Sequence, residues 1–330
     1  MSAPGPDPVS LLVYHPDGAA PYAQLIRVPA GREVTIHACT TEAEAAAVIG
    51  DVEVAYAWKL PPMLYGKAPK LRWLQAIGAG VDWALVPELP SRVVVTRAPG
   101  VFGPWMSEYV LGWCSWVTQR METYRAAQRQ RRWLDDVLPG RLRGKTLTLV
   151  GVGDIGREIA RVARAVGMHV IGVSRSGERV PAVERVYRPG YLARALAAAD
   201  FVVVVVPLTK KTRGLIGERA LAAMRPGAWL LNIGRGAVVD EAALVQALQT
   251  HRIARAVRIA EFKQVAAGDR PDRVHRRQRH DSNGVGFGVG DIERVGIDRE
   301  AGRLRERRAV DGAVTARLFA GPGVRIGAIV

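Results

Sequence analysis

The pattern that most restricts this chain is Gly151-Val-Gly153-Asp154-Ile155-Gly156, set between a β-rich run and an Ala-rich helical one. Three glycines at G-x-G-x-x-G spacing mean little by themselves in a chain that holds 35. Here Thr146 to Val150 runs directly into the pattern and the helical stretch 157–166 runs directly out, which is the context that gives the spacing its meaning. The first glycine serves a tight turn, the second lets backbone approach a pyrophosphate, and the third lets the helix pack closely on the strand. A pyrophosphate at that place meets free N–H groups and the positive end of a helix dipole. The segment therefore predicts a dinucleotide-binding βα unit, with Gly151, Gly153, Asp154, Ile155 and Gly156 at the phosphates.

The end of the next strand distinguishes the two common dinucleotides. A site for NAD normally carries a carboxylate there for the adenosine ribose hydroxyls. This chain reads Val173-Ser174-Arg175-Ser176. A guanidinium pairs with a 2′-phosphate that a carboxylate would repel, and both serines can donate to it. The expected cofactor is NADP (NADPH), with NAD as the second candidate.

Short β-rich runs alternate with helical stretches from residue 9 onward, the pattern of strands crossing through helices into parallel sheets. Residues 9–14, 34–38, 52–57, 71–77 and 93–96 read as strands of a first, smaller unit. From 105 to about 134 glycine occurs only at 112 and proline not at all, and Met106, Tyr109, Val110, Trp113 and Val117 recur at helical spacing, which predicts one long helix. Strands at 147–150, 170–173, 201–206 and 229–232 follow. Continuous β-branched runs such as 202–206 suit strands buried on both faces, as in a doubly wound sheet. The predicted fold class is α/β: two Rossmann/flavodoxin-like lobes with doubly wound parallel sheets. The expected domains are 1–99, an N-terminal substrate lobe; 100–263, a nucleotide-binding domain with its linker helix; and 264–330, an atypical, weakly ordered Arg-rich tail.

All eight Trp and all eight Tyr precede residue 254, and beyond it the only leucines are Leu304 and Leu318. The eleven residues 270–280 hold five Arg and two His, a segment that repels itself and has little to bury. The net charge of +16 raises a polyanionic partner as a question, because clustered cations bind phosphate backbones by counterion release. Yet residues 1–253 carry 31 Lys+Arg against 21 Asp+Glu and residues 254–330 carry 16 against 10, so the excess is spread, and no nucleic-acid-reading motif accompanies it. Solvated surface arginine is the favoured reading, and a nucleic-acid partner ranks below it. Cys39 and Cys114 stand far apart, as free thiols in a reducing compartment would, and no signal peptide or membrane span is apparent, which predicts a cytoplasmic protein and no membrane partner. No metal site is expected.

Between about 71 and 253 the chain resembles the D-isomer-specific 2-hydroxyacid dehydrogenases, in particular their glyoxylate and hydroxypyruvate reductase branch. The resemblance is carried by Gln75-Ala-Ile-Gly78-Ala79-Gly80-Val81-Asp82, the glycine loop, Val206-Pro207-Leu208-Thr209 with Thr212 and Leu215-Ile216, and the run from Met224 through Asn232-Ile233-Gly234-Arg235-Gly236 to Glu241. It implies two α/β lobes facing across a cleft, a small 2-oxo or 2-hydroxy acid as substrate, and a homodimer in which the 105–134 helix is a contact. It also assigns roles. Arg235 matches the catalytic Arg, whose planar fork suits a carboxylate and a carbonyl together. Gly78, Ala79 and Gly80 match the loop whose N–H groups hold the substrate carboxylate; Pro207 and Thr209 match the turn beneath the nicotinamide ribose, with Thr212, Ile233 and Gly234 beside the cofactor.

After Ile253 the resemblance stops. The family continues with Leu-Asp-Val, then Glu-Pro, then a Thr-Pro-His that carries the general acid; this chain has Arg258-Ile259-Ala260 and Gln264-Val265 in the first two places and Thr-Pro-His nowhere. Glu261, His275 and His280 match the missing groups in residue type only. The simultaneous change in composition points to a frameshifted or recombined segment. Three functions compete: an NADP-dependent 2-hydroxyacid dehydrogenase with impaired activity, a cofactor-binding protein without catalysis, and, ranked last, a corepressor or nucleic-acid-associated protein.

Overall fold

The computed structural model describes residues 8–258 and 274–275. It divides the chain into two compact units, the first running to Val101 and the second beginning at Phe102.

In the first unit five parallel strands, β1 (Val9–Tyr14), β2 (Val34–Cys39), β3 (Val54–Ala57), β4 (Trp73–Ala76) and β5 (Val94–Thr96), take the order β2-β1-β3-β4-β5. The helices α1 (Ala20–Gln24) and α2 (Glu42–Val48) make the first two crossovers. β1 shows why the sheet is covered twice. Leu12 and Tyr14 enter one core with Ala45, Ile49 and Leu64, while Leu11 and Val13 enter another with Ala19 and Trp73, the period-two division of a strand buried on both faces. α2 starts at a capping box: Thr41 Oγ1 accepts from the Glu44 N–H at 3.2 Å, and Glu44 Oε2 accepts from the Thr41 N–H at 3.2 Å.

The second unit opens with α3 (Gly103–Thr118) and α4 (Met121–Arg129). Its sheet holds β6 (Thr146–Val150), β7 (His169–Val173), β8 (Arg185–Tyr187), β9 (Phe201–Val204), β10 (Trp229–Asn232), β11 (Arg255–Arg258) and β12 (Val274–His275), joined in part by α5 (Asp154–Ala165), α6 (Leu192–Ala197), α7 (Glu218–Ala223) and α8 (Glu241–Gln249). The strand order is β12-β11-β10-β9-β6-β7-β8, parallel throughout. β9 is the central strand its sequence indicates: Val202, Val203 and Val204 are wholly buried, and each stabilises the fold by about 1.5–3 kcal/mol relative to an exposed side chain. Thr148, also wholly buried, donates its hydroxyl to the Ala195 carbonyl at 2.9 Å, so its polar group is satisfied within the core.

Several sequence expectations are corrected. The single helix over 105–134 is two helices broken at Gln119 and Arg120, and the second ends at Arg129. Arg120 takes a left-handed φ of +54°. The Thr118 carbonyl accepts from the Gly140 N–H at 2.8 Å, and Gln119 Nε2 donates to the Gly140 carbonyl at 2.8 Å. A returning segment thus takes the groups that would continue the helix, a tertiary contact that apolar periodicity cannot register. The strand expected over 201–206 ends at Val204. A short β8 adds to the sheet edge where no strand was expected. Residues 255–258 form β11 in spite of their arginines, because Ala256 and Val257 face the core. The weakly ordered tail expected over 264–330 lies outside the described residues apart from β12.

Candidate functional site

The second unit's sheet reverses its winding between β6 and β9: from β6 the chain proceeds outward to β7 and β8, then returns to the other side of β6 with β9 and β10. Crevices that take ligands open beyond the carboxyl ends of the strands at such a point. Four loops gather there, after β6, β7, β9 and β10.

The loop after β6 is the glycine pattern, and each glycine meets a different constraint. Gly151 has φ +109°, a conformation that L side chains rarely adopt. Gly156 lies against the turn itself: a Cβ there would be 2.3 Å from the Gly151 carbonyl oxygen. Gly153 is the N-cap of α5 at φ −76°, and a Cβ there would meet nothing within 4 Å. Its lack of a side chain is therefore not required by the protein's own packing, and the space beside it suits a group from outside. The N–H groups of Val152 and Gly153 have no partner among the described residues. The residues present fit a pyrophosphate.

The loop after β7 carries Ser174, Arg175 and Ser176. Arg175 is exposed and without a hydrogen bond or ion pair among the described residues. Ser174 Oγ accepts from the Gly177 N–H at 3.0 Å and Ser176 Oγ from the Glu178 N–H at 3.2 Å. Both hydroxyl hydrogens thus remain available to an external acceptor.

The loops after β9 and β10 are tied together. Thr212 Oγ1 donates to the Pro207 carbonyl at 2.6 Å and accepts from the Thr209 N–H at 2.8 Å, closing residues 207–212 into a fixed turn. The Gly214 N–H donates to the Ala237 carbonyl at 2.9 Å, and the Ile216 N–H to the Val238 carbonyl at 3.0 Å. Arg235 follows β10 and is half-buried. Asn232, 2% exposed, shapes its turn from both sides: Nδ2 donates to the Arg235 carbonyl at 3.0 Å and Oδ1 accepts from the Gly234 N–H at 3.1 Å. A Cβ on Gly234 would come within 2.8 Å of the Val206 carbonyl oxygen, so glycine is needed for the two loops to approach. Ile233 beside it is buried. Asn232 stands out in the sequence only as a buried amide at a strand end, a residue type seldom left unpaired there.

In the first unit Gly78, Ala79 and Gly80 follow β4. Gly78 lies under the Trp58 ring, where a Cβ would be 2.5 Å from Cζ3. Two of the loop's carbonyls are engaged, that of Gly78 by the Ala98 N–H at 3.4 Å and that of Gly80 by Trp83 Nε1 at 3.1 Å. Its three N–H groups have no partner among the described residues. Beneath the loop, Trp73 Nε1 donates to Thr96 Oγ1 at 2.7 Å and Thr96 Oγ1 donates to Gln75 Oε1 at 2.6 Å, a buried chain that fixes the end of β4. Trp58 and Thr96 are not distinguishable as site residues by motif.

Cys39 and Cys114 are both buried and unbridged, and burial pushes both thiols upward in pKa. No helix among the described residues is long and apolar enough to cross a membrane, and no His, Cys, Asp or Glu cluster among them is arranged to hold a metal ion. Of the three substitutes considered for the missing acid, His275 lies in β12, whose backbone pairs with β11, and Glu261 and His280 lie outside the described residues.

Residues 112–258 match the family model for the D-isomer specific 2-hydroxyacid dehydrogenase NAD binding domain. A glyoxylate reductase of Thermococcus litoralis is 35% identical over 209 residues, which are 60% of this chain and 62% of that protein, so the match spans less than two thirds of that relative's length. Among solved structures, an NADPH-dependent glyoxylate/hydroxypyruvate reductase from Sinorhizobium meliloti in complex with NADP and sulfate is similar at 27% identity over 82% of this chain and 87% of that one, with a TM-score of 0.69. A D-isomer specific 2-hydroxyacid dehydrogenase family protein from Aeromonas salmonicida is similar at 32% identity over 81% of this chain and 87% of that one, with a TM-score of 0.71. With the glycine loop at the switch point of a parallel sheet and a match of this extent, the chain belongs to the D-isomer specific 2-hydroxyacid dehydrogenase family.

Proposed function

We propose that this protein is an NADP-dependent reductase of a small 2-oxo acid of the glyoxylate or hydroxypyruvate type. The observation that carries the reading is the pair of adjoining loops in the second unit: a glycine turn with room for a pyrophosphate at Gly153, and an exposed Arg175, without a partner among the described residues, flanked by two serine donors where a ribose carboxylate would otherwise stand. The resemblance to a reductase solved with NADP supports the same choice.

NADPH, when bound, supplies the hydride. The chain's own residues do the rest. Backbone N–H groups at Val152 and Gly153 take the pyrophosphate, and Arg175, Ser174 and Ser176 take the 2′-phosphate. The turn fixed by Thr212 sets Pro207 and Thr209, with Ile233 and Gly234 alongside. Arg235, in a turn shaped by Asn232, offers a guanidinium fork to a carboxylate and to the oxygen on which charge develops. In the first unit the Gly78, Ala79 and Gly80 N–H groups suit a carboxylate, and Trp58 limits how far that loop can move.

Fluorescence titration tests the cofactor reading: NADPH is expected to bind at least tenfold more tightly than NADH, a difference of about 1.4 kcal/mol, and Arg175→Ala to remove it. Equal affinities in the unaltered protein would overturn it.

A second reading, NADPH binding with little turnover, is favoured by one feature of the sequence: it contains no Thr-Pro-His. Loss of a positioned acid costs about 10²–10⁴ in rate. Turnover of glyoxylate and hydroxypyruvate is then expected far below the enzyme median of about 10 s⁻¹, and a rate near that median would reject this reading and direct His→Ala substitution to His275 and His280.

A further inference from the structure

The turn after β7 is braced by the residue that follows the next strand. Gly177 has φ +70°, and a Cβ on it would lie 2.8 Å from Cγ of Arg188. Arg188 Nε donates to the Ser176 carbonyl at 3.2 Å. The contact is set by the sheet: β7 and β8 pair in parallel with Val173 opposite Tyr187, and the Ser174 N–H donates to the Tyr187 carbonyl at 3.0 Å. Arg188, the residue after β8, thereby stands beside Ser174 to Gly177 whatever its side chain does. Its two Nη groups have no partner among the described residues. Between 174 and 188 the chain carries Arg175, Arg179, Arg185 and Arg188 against Glu178 and Glu184.

We propose that Arg188 is a second specificity-determining residue for the phosphomonoester of NADPH. It acts in two ways. Its Nε bond holds the Ser176 carbonyl, and with it the turn that presents the two serine hydroxyls. Its guanidinium adds a second positive charge to that of Arg175 beside a dianionic phosphate, to which a charge-assisted bond is stronger than a neutral one. The inference rests on the NADP reading given above.

The test is fluorescence titration of the full chain with NADPH and with NADH, for the unaltered protein, Arg188→Gln, Arg188→Lys and Arg175→Ala, with a thermal melt of each. Arg188→Gln is expected to weaken NADPH about tenfold and leave NADH within twofold, and Arg188→Lys to recover part of the loss by restoring charge. An unchanged NADPH to NADH ratio in Arg188→Gln, or equal weakening of both cofactors, overturns the proposal while leaving the NADP reading intact if Arg175→Ala still loses NADPH. Failure of the unaltered protein to prefer NADPH overturns both. If Arg188→Gln does not fold, Arg188→Lys decides: it keeps the charge without the planar Nε geometry, and a preference reduced relative to the unaltered protein supports the role, whereas an unaltered preference overturns it.

Discussion

Both units carry a glycine turn at the carboxyl end of a parallel strand, yet the two are held by different kinds of obstacle. Around Gly156 the crowding atom is a backbone oxygen, that of Gly151, 2.3 Å from where a Cβ would stand. Around Gly78 it is the outer ring of Trp58, a half-buried side chain, at 2.5 Å. A peptide oxygen in the turn that joins β6 to α5 cannot move without shifting the chain at the end of the strand, whereas a ring rotates about two bonds. The distances are nearly equal, but the costs of relieving them are not. The comparison also separates packing from function, because Gly153, between the two packed glycines of its loop, faces open space.

Gly156→Ala should have the largest effect. Overpacking of this kind typically costs about 1–3 kcal/mol and more where the neighbour cannot yield, so we expect a loss of ~3 kcal/mol in urea denaturation together with loss of NADPH binding. A variant that retained both would show that α5 slides freely on β6 and would break the comparison. Gly153→Val separates the two effects: NADPH affinity should fall at least a hundredfold while the unfolding free energy falls by no more than about 1 kcal/mol, the cost of a poorer N-cap for α5. Normal binding by that variant would reduce the loop to a turn.

Gly78→Ala is expected to cost about 1–2 kcal/mol, and in a Trp58→Leu background most of that cost should disappear, giving a coupling energy of roughly 1 kcal/mol in a double-mutant cycle. Strict additivity would mean that the ring already moves aside. The smallest effect is expected at the α2 cap, where Thr41→Ala removes one arm of the capping box for about 1 kcal/mol. The other arm titrates. Backbone N–H bonds from Thr40 and Thr41 hold the Glu44 carboxyl below the ordinary carboxylate range, so its contribution is present at neutral pH and is lost as the pH falls from that range down through the lowered folded-state value. The stability difference between the unaltered protein and Glu44→Gln should therefore narrow in acid, and a constant difference from pH 7 to pH 3 would remove Glu44 from the cap.

Much of the second unit was legible because its determinants are local. A strand, three glycines and a helix lie within 20 consecutive residues, and the spacing gains its meaning from the strand and helix on either side of it. The wholly buried run at 202–204 declared a central strand because a segment covered on both faces has no polar alternation to hide it. Harder to read were elements created by contact. The break at Arg120 depends on Gly140 returning to Thr118, and β8 is a three-residue edge with one partner strand, too short for a periodic signal.

By itself the sequence determined the parallel α/β class, the glycine turn after β6, the position of Arg235 after β10 and the family to which all three belong. These follow from patterns that neighbouring residues complete among themselves. Tertiary structure alone decided that Trp58 confines Gly78 and that Arg188 stands beside the Ser174 to Gly177 turn. Each of those is a pairing across strands or loops, and a pairing of that kind is fixed by sheet register, which hydrogen bonds between distant segments set and which no run of adjacent residues records.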